Sequence, residues 1–441
     1  MIRQRFAIVI LAVIGLPGWT PAAANVEIQE VTSPGGITAW LVQDNSIPFL
    51  SLDIRFQGGS SLDRPGKRGS IYMMTGLLEE GTGELDAQGF AAASEDLAVR
   101  FGFEAFRDSV IIDASMLTET RDASVDLLRR ALVEPSFPED AIERVRGQVI
   151  SVISGNAQDP DDLAPDRFAE LAYGDHPYAT SQEGTEESIA ALTRDDIVAA
   201  HRDVFSRDRV FVGAAGDITP DELGLLLDEL LGGLPLAEVP LPGPAPWELS
   251  GGITVVEFPT PQSVALFGHP GIERDDPDFF PAFVLNQILG GGNFRSRLQQ
   301  EVRVERGLTY GVGTFLSLAD HRPMLLGQFS SSNNLVSEAI DVVRAQWEDL
   351  AENGVTAEEL EAAQLYLTGA YPLRFGGNSN IAGIMAGMQQ DGMPIDYINS
   401  RNDNVMAVTL EDVRRVAERL IQPGELHFVV VGQPEGLDST N

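Results

Sequence analysis

Three short patterns occur twice in this chain, each time at the same separation. The residues GGIT at 35–38 return at 251–254, and the helical pattern opened by Thr193 is opened again by Thr409. The apolar run at 210–215, which ends in Gly216, returns at 427–431 before Gly432. In all three cases the offset is 216 residues (251 minus 35). A repeat that agrees at the start and the end of both halves predicts two homologous domains in tandem.

Within each half, strand-like and helical patterns alternate. The strand-like runs are 49–56, 110–116, 264–269 and 324–329, and the amphipathic helical patterns are 87–97, 121–132, 337–352 and 357–367. These patterns predict an α+β fold in which helices pack on mostly antiparallel sheets. We place the N-terminal domain at 25–231 and the C-terminal domain at 251–441. Between them, the proline-rich stretch 232–250 favours an extended, semi-rigid linker.

The first 24 residues have the order of a secretory signal peptide. Arg3 and Arg5 precede the apolar run 6–16, and three alanines stand at 22–24. The alternative is a membrane anchor, but the run is shorter than the about 20 residues that a spanning helix needs. We therefore expect a secreted protein of a bacterial periplasm, with no stable membrane span. The chain contains no cysteine, which excludes disulfides and thiolate metal sites.

The chain is strongly acidic, with a formal net charge of -36. Such a field repels nucleic acid, so nucleic-acid binding is not expected. Acidity of this kind serves solubility, although an acidic cavity wall that attracts basic peptides would give the same total.

The histidines do not form a zinc-peptidase motif. Such enzymes need two imidazoles one helical turn apart and a nearby carboxylate. The five histidines are at least 25 residues apart (201 minus 176). A relocated zinc site would require distant residues such as His201 and His269 to converge, which nothing in the spacing supports. We expect this chain to bind no metal and no other cofactor.

The stretch from 65 to 82 resembles a segment of the pitrilysin/insulinase metallopeptidase family, and the resemblance extends over nearly the whole mature chain. In that family an inverted H-x-x-E-H helix ends in Gly-Thr, as this stretch does at Gly81-Thr82. The resemblance places the zinc histidines on Tyr72 and Gly76 and the catalytic glutamate on Thr75. The third metal ligand falls near Ser151 and Val152, which also lack a carboxylate. The resemblance therefore implies a degenerate zinc site in a clamshell fold around a peptide chamber.

The segment 293–310 is similar to the family's C-terminal substrate-binding signature. Read from the residues, Asn293 caps a helix with apolar residues at Phe294, Leu298 and Val302, Gly307 ends that helix, and a strand runs through Tyr310. The resemblance implies that Arg303 and Tyr310 reach a substrate at the zinc of the opposite wall. The alternative is that Arg303 lies on a solvated helix face and that Tyr310 packs under the sheet.

Two hypotheses of different classes follow. In the first, the chain is the zinc-free subunit of a heterodimer, and Arg303 and Tyr310 complement a homologous subunit that carries H-x-x-E-H and the zinc. Its substrates would be peptides or unfolded polypeptides held along a sheet edge. In the second, the chain is a non-catalytic scaffold or peptide-binding protein of the same fold.

Overall fold

The computed structural model describes residues 27–292 and 295–440. The signal peptide predicted at 1–24 and the helix cap predicted at Asn293, with its neighbour Phe294, lie outside the described residues. Within them, no helix is long and apolar enough to cross a membrane.

Each half of the chain folds into one main sheet with helices around it. The elements of the first half are β1 (Gln29–Thr32), β2 (Thr38–Gln43), β3 (Phe49–Gln57), α1 (Ser70–Thr75), β4 (Gly81–Thr82), β5 (Leu85–Asp86), α2 (Ala87–Asp96), β6 (Arg100–Ala105), β7 (Ser109–Leu117), α3 (Arg121–Val133), α4 (Glu139–Asn156), α5 (Pro160–Tyr173), α6 (Glu186–Ala190), α7 (Arg194–Val204), β8 (Val210–Gly216) and α8 (Pro220–Leu231). Those of the second half are β9 (Gly252–Glu257), β10 (Gln262–Pro270), α9 (Phe279–Leu289), a π-helix (Gln299–Val304), β11 (Val312–Ser317), β12 (Met324–Ser332), α10 (Val336–Asn353), α11 (Ala357–Ala370), α12 (Asn378–Gln390), α13 (Tyr397–Ala407), α14 (Leu410–Leu420) and β13 (His427–Gly432). Short 3-10 helices lie at Gly59–Leu62, Thr118–Thr120, Pro177–Ala179, Tyr371–Phe375 and Pro423–Glu425.

The two sheets have matching topology. The first has the strand order β1-β2-β8-β3-β7-β6, and the second has the order β11-β12-β10-β13-β9. Each contains one parallel pair, β2 with β8 and β9 with β13, and its other neighbouring strands are antiparallel. The predicted α+β class with two related domains and mostly antiparallel sheets is confirmed.

The repeat is visible in the caps of two matching helices. Thr193 and Thr409 each accept a hydrogen bond from the backbone N–H three residues later, and Asp196 and Asp412 each bond back to the cap. This reciprocal arrangement satisfies N–H groups that a helix start would otherwise leave without a partner. Both helices lead into a strand of the main sheet, β8 and β13.

The domains exchange one helix each, which the sequence did not indicate. Helix α5 of the first half packs on the second sheet, where Phe168 contacts apolar residues of β10 and β13. Helix α12 of the second half packs on the first sheet, with Met385 in the same cluster as Trp40 of β2 and Ala215 of β8. Each sheet therefore has apolar side chains covered on both faces, one face by its own helices and the other by the partner domain's helix.

Polar contacts fix α12 on the first sheet. Arg55 on β3 is ion-paired with Asp53 (Nε–Oδ1 2.8 Å) and donates to the carbonyl oxygen of Gly383 in α12 (3.0 Å). Gln389 of α12 donates to the carbonyl oxygen of Val212 (2.8 Å). These two bonds set the position of the helix along the strands, because a displaced helix would leave the Gln389 amide and one N–H group of Arg55 without their acceptors at a covered surface.

The segment between α8 and β9 is held against the protein along its length. Residues 235–251 form neither helix nor strand, but Ala245 is fully buried and Trp247 packs against the cluster around α5. The N–H of Ala245 donates to the carbonyl oxygen of His321 (2.9 Å), and that of Glu248 donates to Ala172 (2.9 Å). The segment therefore joins the two domains as an irregular stretch of chain that is hydrogen-bonded to both.

The close approach of α12 to β8 generates a testable prediction. A Cβ atom at Gly213 would collide with the carbonyl oxygen of Ala382 in α12, whereas a Cβ at Gly102 on β6 would lie 3.6 Å from the nearest side-chain atom. We expect Gly213→Ala to lower the free energy of unfolding by about 1–3 kcal/mol, because backbone has to move. Urea unfolding followed by circular dichroism measures this, with Gly102→Ala in the same sheet as the control. Equal stability of the two variants would contradict the described contact.

Candidate functional site

Helix α1 carries the positions at which the family resemblance places the zinc histidines and the glutamate. Asp63, which is buried, holds the start of this helix. Its carboxylate accepts hydrogen bonds from the N–H of Gly69 (2.7 Å), the hydroxyl of Ser70 (2.7 Å) and the N–H of Ile71 (3.0 Å). Burial raises the pKa of Asp63 to about 6, although these hydrogen bonds act in the opposite direction. The helix start therefore depends on a carboxylate cap and not on a metal ion.

Tyr72, Thr75 and Gly76 lie on one face of α1 and its end, as residues three and four apart do. They line a cavity of about 400 Å³ together with one face of α4 and the end of the edge strand β6. The lining residues are Tyr72, Thr75, Gly76, Phe103, Glu104, Ala105, Phe106, Val145, Gln148, Val149, Val152 and Gln182. The structure thus brings the three predicted positions together at one cavity.

The side chains around this cavity do not fit a zinc ion. A catalytic zinc takes three protein ligands, usually histidine nitrogens and a carboxylate. Among the lining residues, Glu104 supplies a carboxylate and no residue supplies an imidazole. Across residues 27–292 and 295–440, no three His, Asp or Glu side chains gather as a possible metal site. The expectation that a partner chain binds the zinc stays a prediction.

The two α4 residues near which the resemblance places the third ligand differ in where they lie. Val152 of α4 lines the cavity, and the neighbouring Ser151 does not. Of the two positions near which the resemblance places the third ligand, Val152 is the one that faces the cavity. Sequence reasoning left this choice open because two adjacent helical residues point about 100° apart, and the pattern alone did not show which of them faces α1.

Tyr72 and Thr75 are polar groups on an otherwise mostly apolar wall. Burial and the negative charge of Glu183 raise the pKa of Tyr72, so its hydroxyl keeps its proton at neutral pH. The hydroxyl of Thr75 donates back to the carbonyl oxygen of Ile71 (2.9 Å). Neither group is activated to attack a substrate, and no histidine lies beside them to serve as a base.

The second candidate region leads into β11, the edge strand of the second sheet. The periodicity predicts an ordinary helix here, but residues 299–304 form a π-helix, with Leu298 and Val302 fully buried. Gly307 has φ of 64°, the left-handed conformation expected of a residue that ends a helix. Arg297 anchors the segment, since it donates to Glu359 (Nε–Oε1 2.6 Å) and to Asp349 (2.9 Å). This structural role of Arg297 was missed in the sequence.

Tyr310 projects into solvent from an anchored loop. The prediction of a strand through Tyr310 is wrong, because β11 begins at Val312. The hydroxyl of Thr309 donates to the carbonyl oxygen of Ser330 (2.6 Å), and Ser331 donates to that of Leu308 (2.6 Å), so the chain before Tyr310 is fixed to β12. Tyr310 itself is 84% exposed, which contradicts the alternative that it packs under the sheet.

Arg303 is half-buried on the π-helix, and neither Arg303 nor Tyr310 lines the cavity below Tyr72. The structure therefore places the predicted residues in two separate regions, one in each domain.

The second domain has a cavity in the place that corresponds to the Tyr72 cavity of the first. This cavity of about 700 Å³ is lined by residues of α9 and α11 and by residues 295–300. Ile288 in its wall stands 216 residues after Tyr72.

Two of the histidines, His201 and His269, have structural roles. His201 packs between Phe137 and Phe205 in the first core, and burial lowers its pKa to about 4. His269 accepts a hydrogen bond from the indole N–H of Trp347 (3.1 Å) in the second core. Because the two lie in different cores, they do not form a relocated metal site.

The sequence and the fold both match one family. Residues 39–186 match the family described as Insulinase (Peptidase family M16), and residues 191–367 match the Peptidase M16 inactive domain. The chain is 24% identical to the non-peptidase homolog YmxG of Helicobacter pylori over 429 residues, which covers 97% of this chain and 98% of that protein. It is 26% identical to an uncharacterized zinc protease of Streptomyces coelicolor over 410 residues, with coverage of 89% and 87%.

A crystal structure of a peptidase M16 inactive domain from Pseudomonas fluorescens superimposes with a TM-score of 0.86 and 27% identity. The match covers 92% of this chain and 98% of that one. These matches show that the protein belongs to the insulinase, or peptidase M16, family, and its sequence lacks the H-x-x-E-H motif.

Proposed function

We propose that this chain is the zinc-free subunit of a two-chain metallopeptidase in a bacterial periplasm. Its partner is a homologous subunit that carries H-x-x-E-H and binds the zinc, and the substrates are peptides or unfolded polypeptides. The observation that carries this proposal is Tyr310, an aromatic side chain 84% exposed at the end of a rigidly anchored loop.

A residue that contacts a substrate bound at the zinc of another chain has to be exposed and held in position. Leu308 and Thr309 are buried and hydrogen-bonded, so the position of the Tyr310 backbone is set before any partner binds. A side chain held in this way loses little conformational freedom on contact with a substrate. Its phenol can then donate to a carbonyl oxygen that lies outside this chain.

Arg303 supplies the second donor in this proposal. A guanidinium and a phenol that point at the oxyanion of a tetrahedral intermediate stabilise the charge that develops there, and one well-placed donor contributes about 3 kcal/mol. In this proposal the metal and the catalytic base come from the partner chain, because the Tyr72 cavity contains one carboxylate, Glu104, and no imidazole. When bound to that partner, zinc would polarise the scissile carbonyl and activate a water molecule.

A second candidate function is a peptide-binding scaffold without a catalytic role. The cavity below Tyr72 favours it, since this cavity has the size of a small binding pocket and lies beside an unpaired sheet edge. The two functions differ in one property, the requirement for Arg303 and Tyr310 during hydrolysis.

We expect Arg303→Ala and Tyr310→Phe each to lower the kcat of peptide hydrolysis by the mixed subunits by about 100-fold, because each removes one oxyanion donor. The measurement is cleavage of a quenched fluorescent peptide by the purified chain, alone and mixed with a homologous H-x-x-E-H subunit and zinc. Arg306→Ala and Tyr366→Phe, which change exposed residues of the same types in the same domain, serve as matched controls.

Three results separate the hypotheses. Activity confined to the mixture and lost in the Arg303 and Tyr310 variants supports the complementing subunit. Activity of the mixture that these variants leave unchanged indicates a scaffold. Zinc-dependent hydrolysis by this chain alone would contradict both.

The degenerate zinc site can be tested by rebuilding it. We expect the triple variant Tyr72→His, Gly76→His, Val152→Glu to bind one zinc ion per chain, because these positions face one cavity. Equilibrium dialysis with metal analysis measures the stoichiometry, and the wild-type chain is the reference. A triple variant with Ser151→Glu in place of Val152→Glu is the control and should bind zinc much more weakly. Equal binding by both triple variants would show that α4 is assigned incorrectly.

A further inference from the structure

Two histidine rings hold the linker segment, residues 235–251, against the domains. His176 of the first domain donates from Nε2 to the carbonyl oxygen of Gly243 (3.1 Å). His427 of the second domain donates from Nδ1 to the carbonyl oxygen of Ser250 (2.8 Å). Imidazole is the side chain whose charge ordinarily changes between about pH 5 and pH 8. The attachment of this segment therefore involves groups that titrate under mild conditions.

We propose that the junction between the two domains is a pH-sensitive device, in which His176 releases residues 243–245 of the linker segment when it gains a second proton. Three parts of the chain meet at this junction: the turn at 176–178 in the first domain, the linker segment, and the hairpin between β11 and β12 in the second domain. The device is contained in this chain alone and does not depend on a partner subunit.

The ring of His176 fits the junction only in its neutral form. Nε2 faces the carbonyl oxygen of Gly243, which accepts, so Nε2 carries the proton. Nδ1 is then the acceptor for the N–H of Tyr178 (3.1 Å). A proton added to Nδ1 would point at that N–H, and two donors in this position cannot bond to each other. Because the backbone N–H cannot turn away, the ring has to turn instead, and this withdraws Nε2 from Gly243.

The buried histidines of the second domain respond differently. Nε2 of His427 lies 3.0 Å from the hydroxyl of Thr254, and a hydroxyl can turn from donor to acceptor when the ring gains a proton. His269 has both nitrogens in hydrogen bonds, as His176 has, but it is 1% exposed inside the second core. His176 is half-buried at the junction. It can therefore exchange a proton with water while both domains stay folded.

His321 brings the second domain to the same place. Its ring centroid lies 5.7 Å from that of His176. Its backbone N–H donates to the hydroxyl of Tyr178 (3.1 Å), and its carbonyl oxygen accepts the N–H of Ala245 (2.9 Å). A turn of the His176 ring therefore disturbs the ring beside it, and positive charge on both rings would add repulsion. Release of the linker segment by His176 thus also weakens the contact of the hairpin with the first domain.

The groups around His176 set the direction of the response. Burial lowers the pKa of His176, and the charges of His321 and Arg68 lower it further, while the hydrogen bond to Gly243 and the charge of Asp108 act in the opposite direction. The neutral form is therefore favoured in the fold. The contribution of His176 to stability is complete above the ordinary histidine pKa of about 6.5, and it is lost as the pH falls from there through the lowered pKa.

Other charged groups on the surrounding elements are Arg107 and Asp108 between β6 and β7, Asp320 and Arg322 in the hairpin, and Glu248 in the linker segment. Burial and the charge of Asp108 raise the pKa of Asp320. Protonation of Asp320 in acid therefore relieves crowded negative charge and acts against release. A variant at His176 separates the two effects, because it removes the histidine contribution and leaves that of Asp320.

The first experiment measures hydrogen–deuterium exchange of the purified full chain at about pH 7.5 and about pH 5.5, as protection factors that remove the intrinsic effect of pH. Peptides from residues 240–250 report the amides of Ala245 and Glu248, which are bonded to the two domains. An open state with the ordinary pKa of about 6.5 gains up to about tenfold at the lower pH, so protection should fall by up to this factor. Helix α8 is the reference for changes of the whole fold. A loss at 240–250 no larger than that in α8 would overturn the proposal.

Variants that do not titrate identify the responsible group. His176→Asn has an amide oxygen that can accept the N–H of Tyr178, and His176→Gln has an amide N–H that can reach toward Gly243. We expect both to abolish the additional loss of protection in acid, whatever their protection at neutral pH. His321→Gln is the matched control and should keep most of that loss, because the bonds of His321 to Tyr178 and Ala245 come from its backbone.

The outcomes decide on His176 and not on the hydrolysis of peptides. A folded His176→Asn or His176→Gln variant that loses protection in acid as the wild type does would assign the titration to another group and contradict the proposal. Circular dichroism identifies a misfolded variant, and the comparison of residues 240–250 with α8 in the wild-type chain then decides alone. No partner subunit, zinc or peptide is present, so a failure of the hydrolysis experiment does not alter the result.

Discussion

The structure depends on the exchange of α5 and α12 between the two domains. A sheet with apolar side chains on both faces needs cover on both, and each domain's own helices cover one face. The second face of each sheet is covered by the helix from the other domain, with Phe168 and Met385 among the residues that fill these contacts. Removal of either helix would expose an apolar sheet face, so each domain needs the other to complete its cover. The C-terminal domain therefore supplies cover that the N-terminal domain needs, and the N-terminal domain does the same for the C-terminal one.

This exchange also explains which surfaces remain open. Helices cover the faces of the sheets, but the edge strands β6 and β11 have no further strand beside them among the described residues. The Tyr72 cavity lies at the first edge, and Tyr310 immediately precedes the second. Functional candidates in both domains are therefore found at sheet edges, where backbone groups can pair with an extended chain.

Much of this architecture could be predicted from the sequence, because its signals are local or repeated. The Thr193 and Thr409 caps and the 216-residue offset are written in the residue order, and helix and strand periods differ enough to be separated. The helix exchange could not be predicted, since the amphipathic pattern of α5 shows that one face is buried but not which sheet buries it. The same reason applies to Val152, because whether it or Ser151 faces the cavity depends on how α4 packs against α1. The exposure of Tyr310 could not be predicted either, because it results from the hydrogen bonds that Thr309 donates to Ser330 and that Ser331 donates to Leu308, which fix the loop to β12.

The loss of zinc ligands left the surrounding structure intact for a physical reason. A structural zinc site contributes folding energy, and such a domain unfolds when its ligands are removed. Here α1 begins on the Asp63 carboxylate and packs Ile71, Met73 and Met74 into the core, so nothing in its stability requires a metal. The cavity that Tyr72, Gly76 and Val152 line lies between α1, α4 and β6, and these elements hold it open through their own packing and hydrogen bonds.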